Sequence, residues 1–224
     1  LGEPFIEEAE FLKDTNPSAY EHEYLGKANG SGGSIFDNVT VREITDEEIS
    51  SFDNIMNGVD WGYFPDKYAF VRVHLAAAQH KLYIFDEYTS NKESNAQTAE
   101  QIRKKGITAN ALITCDSAEP KTIKEIHNAG IPILASKKGA GSVEDGIQFM
   151  QGLEICITER SLNIKKEFDN YTWQQDKNGK WLNVPVDDYN HAIDGIRYVC
   201  YNELMGKKDK NGHSGADTAA AFGH

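Results

Sequence analysis

The pattern of apolar and polar positions changes period part-way along the chain. "IMNGVDWG", "YAFVRVHLA" and "KLYIFDEYT" are rich in β-branched and aromatic residues, and the second alternates. They predict three strands starting near Asn54. Their separations are hairpin-length, so they are expected as antiparallel neighbours. From residue 95 the period lengthens. "NAQTAEQIRKKG" reads as a helix ending at Gly106 and "EPKTIKEIHNAG" as one with Pro120 in its first turn. "SVEDGIQFMQG" and "RSLNIKKEFDNY" read as helices too, with "ALITCD", "IPILAS" and "LEICIT" as short strands between them. "YTWQQDKNGKWLNV" predicts a hairpin around Asn178–Gly179. A last helix is expected from Asp187 to about Met205, with an apolar stripe of Tyr189, Ile193, Ile196, Cys200 and Leu204. Before the core, "IFDNVTVREIT" reads as a short strand, and Thr45 followed by Glu48 carries a capping signature.

This order predicts an α/β fold: a mixed sheet, three antiparallel strands then parallel strands, flanked by helices. Residues 1–50 read as a lead-in, with the linker-like "ANGSGGS" and the short strand. Residues 51–206 form the main domain. Residues 207–224 lack an apolar pattern and are expected to be disordered.

The 224 residues suffice for one large domain. No run of 18 apolar residues exists, so no membrane span is expected. The start has neither Met nor signal-peptide regions, so the chain reads as a piece of a longer, non-secreted protein. Cys115, Cys156 and Cys200 lie in apolar runs without CxxC spacing, which favours buried free thiols over zinc. The net charge of −12 argues against nucleic acid as a partner. The charge is uneven, however. Residues 1–50 hold 12 acids against 3 bases, and residues 103–166 hold 10 bases against 7 acids, so the middle can still present a basic face.

Candidate chemistry starts from acids at strand ends. Asp60 closes the first core strand and Asp116 closes "ALITCD". Each also fits a turn or helix-cap role, Asp116 especially, with Ser117 and Pro120 after it. Asp194 interrupts the last helix beside its apolar stripe, where a solvated side chain is the simple reading. If the first and fourth core strands are adjacent, Asp60 and Asp116 project together, and the last helix can bring Asp194 to the same edge. Three close carboxylates repel unless a cation lies between them. Hard oxygen ligands favour Mg²⁺ or Mn²⁺, and two such ions roughly 4 Å apart would clamp the attacking and leaving oxygens of a phosphodiester.

Lesser candidates remain two-sided. His191 shares a helix face with Asp194 and is either a catalytic residue or a turn cap. On the third strand only one of Asp86 and Glu87 can face the site. Asp187 and Asp188 suit the start of the last helix. Lys137 and Lys138 precede "GAGS", which fits either a phosphate-holding loop or a solvated one. Lys165 and Lys166 read as solvated. Trp173 and Trp181 either guide DNA or pack the hairpin onto the body. Gly58 and Gly62 flank Asp60 and suit close backbone approach.

The ordered set "GVDWGYFPDKYAFVRV", "LYIFDEY", "ITCDSAEPKTIKEI", "SKKGAGSVEDGI" and "DDYNHAIDGIRY" resembles the C-terminal nuclease domain of terminase large subunits. The nearest resemblance is to tailed phages and prophages of Gram-positive bacteria, and it covers nearly the whole chain. It implies a ribonuclease H-like fold, with the metal-binding acids falling on Asp60, Asp116 and Asp194. It also implies divalent-dependent endonuclease action on double-stranded DNA during genome packaging. That family's ATPase domain carries a Walker A loop, GxxxxGK[ST], which this chain lacks. The resemblance therefore implies a nuclease part, joined through "FIEEAEFLKD…EYLG" to a motor. Its implied partners are that ATPase domain, a small terminase subunit and a portal; its implied location is the cytoplasm of an infected or lysogenic bacterium. The rival readings are a junction-resolvase-type nuclease and a non-catalytic packaging-motor interaction module. A flavodoxin-like domain with Asp60 as phosphoacceptor is a third, against which the leading antiparallel strands argue.

Overall fold

The computed structural model describes residues 33–62, 66–107, 111–137 and 139–212, with side chains to residue 206. The elements follow the expected order. β1 (Val39–Arg42) precedes a short helix, α1 (Asp46–Ser50), which Thr45 caps by accepting a hydrogen bond from the Glu48 N–H. β2 (Ile55–Asp60), β3 (Tyr68–Ala76) and β4 (Lys81–Ser90) form the antiparallel trio. Then come α2 (Asn95–Lys104), β5 (Ile113–Cys115), α3 (Pro120–Asn128) and β6 (Ile133–Ala135). α4 (Ser142–Gln151), β7 (Glu154–Thr158) and α5 (Leu162–Asn170) follow, then the β8 (Trp173–Gln175) and β9 (Trp181–Pro185) hairpin. The last element is α6 (His191–Gly212).

Among the described residues the main sheet has seven strands in the order β1-β7-β4-β3-β2-β5-β6. β5 pairs parallel with β2, and β7 pairs parallel with both β4 and β1. The sheet is therefore mixed, and β2 and β5 end at the same edge. β3 is central and buried on both faces. Its Ala69, Val71, Val73 and Leu75 meet residues of α4, α5 and α6, while Tyr68 and Phe70 meet residues of α2 and α3. Ile35 and Phe36, from the segment read as a lead-in, are buried in the first of these cores, and Ile44 is buried in a third small cluster with Phe85 and Cys156.

Two boundaries differ from expectation. α6 starts at His191 rather than Asp187, because Tyr189 takes a left-handed conformation, φ 55°, that breaks the helix before it begins. α6 then runs to Gly212, past the expected stop at Met205 and into the segment expected to be disordered. Most of the lead-in, Lys138 and residues 213–224 lie outside the described residues.

α6 is buried almost all round in its first turns, with Ala192, Ile193, Ile196, Val199 and Cys200 in one core. It crosses β2 at a glycine pair. A Cβ on Gly58 would lie 2.1 Å from the Gly195 carbonyl oxygen, so strand and helix backbones touch there. A Cβ on Gly195 would meet nothing nearer than 3.4 Å. The two glycines are thus unequal. Gly58→Ala is expected to force the helix off the strand, costing about 1–3 kcal/mol and lowering the melting temperature by roughly 3–10 °C. Gly195→Ala is expected to be neutral or mildly stabilising, because alanine favours a helix interior. Thermal melts of the two variants check this; equal effects would contradict the backbone contact.

Candidate active site

Side-chain parity directs the strand acids. Val59 and Cys115 belong to the core under α2 and α3, so Gly58, Asp60 and Asp116 fall on the opposite side, toward α6. Val59 and Cys115 are register partners, and the Asp116 N–H donates to the Val59 carbonyl at 3.2 Å. Asp60 and Asp116 therefore leave adjacent strands at one edge. On α6, His191, Asp194, Gly195 and Tyr198 recur at spacings of three and four and share a face. With Gly195 lying on Gly58, that face overhangs the same edge.

Asp60 is the centre of the cluster. Its Oδ2 lies 3.2 Å from His191 Nδ1, and its Oδ1 accepts the Tyr198 hydroxyl at 3.2 Å. Its side chain is only 13% exposed. Burial, aided by the Asp116 charge, holds its pKa above the usual carboxylate range. The hydrogen bond to Asp60 raises the His191 pKa. Asp194 binds Arg197, at 3.1 Å to Nε and 3.0 Å to Nη2. Burial pushes the Asp194 pKa up to about 6, although the Arg197 charge opposes this. Arg197 is itself buried, and a Cβ on Gly146 of α4 would strike its side-chain stem. Burial raises the Tyr198 hydroxyl far above its ordinary value, reinforced by the charges of Asp60, Asp194 and Asp116.

Asp116 keeps part of its turn role, since its Oδ1 accepts from the Ala118 N–H at 3.2 Å. The Trp61 indole N–H donates to its backbone carbonyl at 3.1 Å. Lys137 sits after β6, in a loop held to α6 by its N–H donating to Asn202 Oδ1 at 3.1 Å. Glu87 is occupied elsewhere: its carboxylate accepts from the N–H groups of Asn163 and Ile164, capping α5. Asp86 pairs with Lys105 Nζ at 2.6 Å. Trp173 packs against the main core, and Trp181 lies over Gly33. Cys115, Cys156 and Cys200 are free and buried.

Asp187 and Asp188 do not cap α6. Glu167 of α5 does: its Oε2 accepts from the Ala192 N–H at 2.7 Å and the Ile193 N–H at 3.1 Å. Burial pushes its pKa up to about 7. Glu167, Arg197 and Tyr198 were not singled out in the sequence. Tyr198 had a signal, the i, i+4, i+7 spacing from His191 through Gly195. Glu167 had one too, an acid between Ile164 and Phe168 on a buried stripe. Arg197 had only its three-residue spacing from Asp194.

Three carboxylates with a tyrosine and an imidazole form a donor set suited to a hard divalent cation. Among the described residues, no group of three or more His, Cys, Asp or Glu side chains is gathered closely enough to form a metal cage. Asp194 faces Arg197 and Asp60 faces His191 and Tyr198, so in this arrangement the protein's own groups balance the carboxylates.

Comparison with known proteins places the chain. A family model described as terminase RNase H-like domain matches residues 60–201, from the first candidate acid to beyond the last. The terminase large subunit of Bacillus phage SPP1 is 42% identical over 210 residues, 91% of this chain and 50% of that protein. The PBSX phage terminase large subunit of Bacillus subtilis is 26% identical over 215 residues, 89% of this chain and 47% of that protein. The chain thus spans about half the length of these curated relatives. Among solved structures, the nuclease domain of the bacteriophage SPP1 large terminase, with bound Mn, is 38% identical with a TM-score of 0.67. That match covers 73% of this chain and 95% of the other. The P22 large terminase nuclease domain, 15% identical, shares the fold with a TM-score of 0.59 over 79% of this chain and 93% of its own.

The buried groups share one direction of shift. Asp60, Asp194 and Glu167 have raised carboxyl pKa values, and His191 has a raised imidazole pKa. A group raised on folding stabilises fully below its unfolded pKa and loses that contribution as pH rises through the folded value. The metal-free protein is therefore expected to lose roughly 2–4 kcal/mol between about pH 4.5 and pH 7.5. Denaturant midpoints across that range check this; a flat profile would contradict the burial of these groups.

Proposed function

Because the chain belongs to the terminase RNase H-like domain family, we propose that it is a divalent-metal-dependent endonuclease acting during phage genome packaging. It hydrolyses phosphodiesters of double-stranded DNA with little sequence preference. The observation that carries this reading is geometric: Asp60 and Asp116 leave adjacent parallel strands at one edge, and α6 comes down on that edge with His191 and Tyr198 bonded to Asp60.

Asp60, Asp116 and Asp194 would hold two Mg²⁺ or Mn²⁺ ions. Bound there, the ions supply Lewis-acid stabilisation of the phosphate and a lowered pKa for water. The protein's groups do the rest. Tyr198 donates to Asp60 Oδ1 and fixes that carboxylate. His191 Nδ1 stands 3.2 Å from Asp60 Oδ2 and holds that carboxylate by the oxygen that Tyr198 does not bond. Arg197 holds Asp194 in place through its ion pair. The Lys137–Lys138 loop is the proposed phosphate contact.

Little sequence preference follows from the absence of any base-reading motif in the sequence. The ATPase domain, the small subunit and the portal are the proposed partners, and the bacterial cytoplasm the proposed location. No helix among the described residues is long and apolar enough to cross a membrane.

The test is cleavage of supercoiled plasmid with Mn²⁺, Mg²⁺ or EDTA, run beside Asp116→Ala. Nicking and linearisation are expected with either ion and not with EDTA. Asp116→Ala should reduce the rate by more than the roughly 10–100-fold that losing an outer-shell partner costs. Equal cleavage by the variant would remove Asp116 from the mechanism. DNA binding without divalent-dependent cleavage would favour the interaction-module reading.

A further inference from the structure

We propose that Glu167 is a positioning residue for this site: its buried carboxylate seats the first turn of α6 and so fixes where His191 and Asp194 stand relative to Asp60. The proposal rests on the nuclease reading and goes beyond it. Glu167 Oε2 accepts both the Ala192 and the Ile193 N–H, the two backbone groups between His191 and Asp194. These are the amides a helix start leaves without partners. Among the described residues, no side chain near the start of α6 in sequence supplies the acceptor. Asp188 Oδ1 is turned to the Tyr189 N–H, and Asp187 Oδ1 lies 3.5 Å from Asn190 Nδ2.

The cap therefore comes from a different helix, and it ties α5 to α6 at the site. Glu167 is 8% exposed, on a helix anchored by buried Ile164 and Phe168. It has little freedom to follow α6 if α6 moves. The acceptor oxygen lies at the positive end of the α6 dipole, which favours it there. Glu167 and His191 also line one cavity of about 330 Å³, beside Lys67 and Lys166. Tilting the first turn of α6 would move His191 and Asp194 together, while Asp60 and Asp116 stay with the sheet. The expected consequence is a site whose carboxylates no longer share an ion well.

The test compares the chain with its Glu167→Gln, Glu167→Asp and Glu167→Ala variants. Mn²⁺ affinity is measured without DNA by electron paramagnetic resonance, and kcat and KM on plasmid with Mn²⁺. Glutamine keeps an acceptor at the same reach, aspartate keeps the charge on a shorter arm, and alanine removes both. Glu167→Ala and Glu167→Asp are expected to weaken Mn²⁺ binding about tenfold or more and to lower kcat similarly, with KM within about threefold. Glu167→Gln is expected to stay within about threefold of the parent on both. If alanine prevents folding, the contrast between glutamine and aspartate decides. Variants that melt earlier but keep Mn²⁺ affinity and kcat would reduce Glu167 to a structural cap and overturn the proposal. A glutamine variant as impaired as the aspartate one would also overturn it. A parent chain that binds Mn²⁺ with this ranking among variants but never cleaves would sink the nuclease reading and leave the positioning role standing. A parent chain that binds no Mn²⁺ would sink both.

Discussion

The site depends on one backbone contact, the crossing of β2 and α6 at Gly58 and Gly195. Gly58 lies two residues before Asp60 on the same face of its strand, and Gly195 follows Asp194 directly. With a side chain on Gly58, the helix would ride higher on the sheet. The His191 and Tyr198 bonds to Asp60, both 3.2 Å long, have no slack for that. The crossing converts a sequence separation of more than a hundred residues into hydrogen-bond distance. The other contacts tune the same arrangement: the Glu167 cap sets the start of the helix, and the Gly146 notch admits the Arg197 stem.

That closeness has an electrostatic cost. Burial raises the pKa values of Asp60, Asp194 and Glu167, so each loses hydration that folding does not fully replace. Against them stand two buried or half-buried basic groups, Arg197 and His191. Arg197 deserves separate weight because a buried ion pair with one member removed leaves an uncompensated charge, typically 3–5 kcal/mol. Its role is to make Asp194 tolerable inside the fold.

The sequence made most of the architecture legible because the period of apolar positions is a local property. Two-residue alternation marked β3, and helix signals such as Pro120 and Gly106 marked α3 and the end of α2. Asp60 and Asp116 stood out because strand ends are where side chains leave a sheet, and Asp194 because it interrupts an apolar stripe. What stayed hidden was what only tertiary contact decides. The acidic pair Asp187–Asp188 looked like the start of α6, but the left-handed Tyr189 places the helix start beyond their reach, and Glu167 arrives from α5 instead. Glu87 was left open in the sequence, and the structure uses it as the cap of α5. The length of α6 was underestimated because its polar last turns carry no apolar stripe to signal helix.

Asp187, Asp188 and Glu87 teach the same physics. A carboxylate near a helix in sequence is only a candidate cap, since the amides of the first turn take whichever acceptor packing delivers. Here α5 and α6 each receive that acceptor from a neighbouring element: Glu87 from the sheet for α5, and Glu167 from α5 for α6. The result is a chain of caps running from β4 through α5 to α6, ending at the residues that face Asp60. Such a chain makes the position of α6 a property of the whole face rather than of its own sequence. It also explains how a long helix crossing a sheet on two glycines, a contact with little side-chain interlock, holds one height and one register over the site edge.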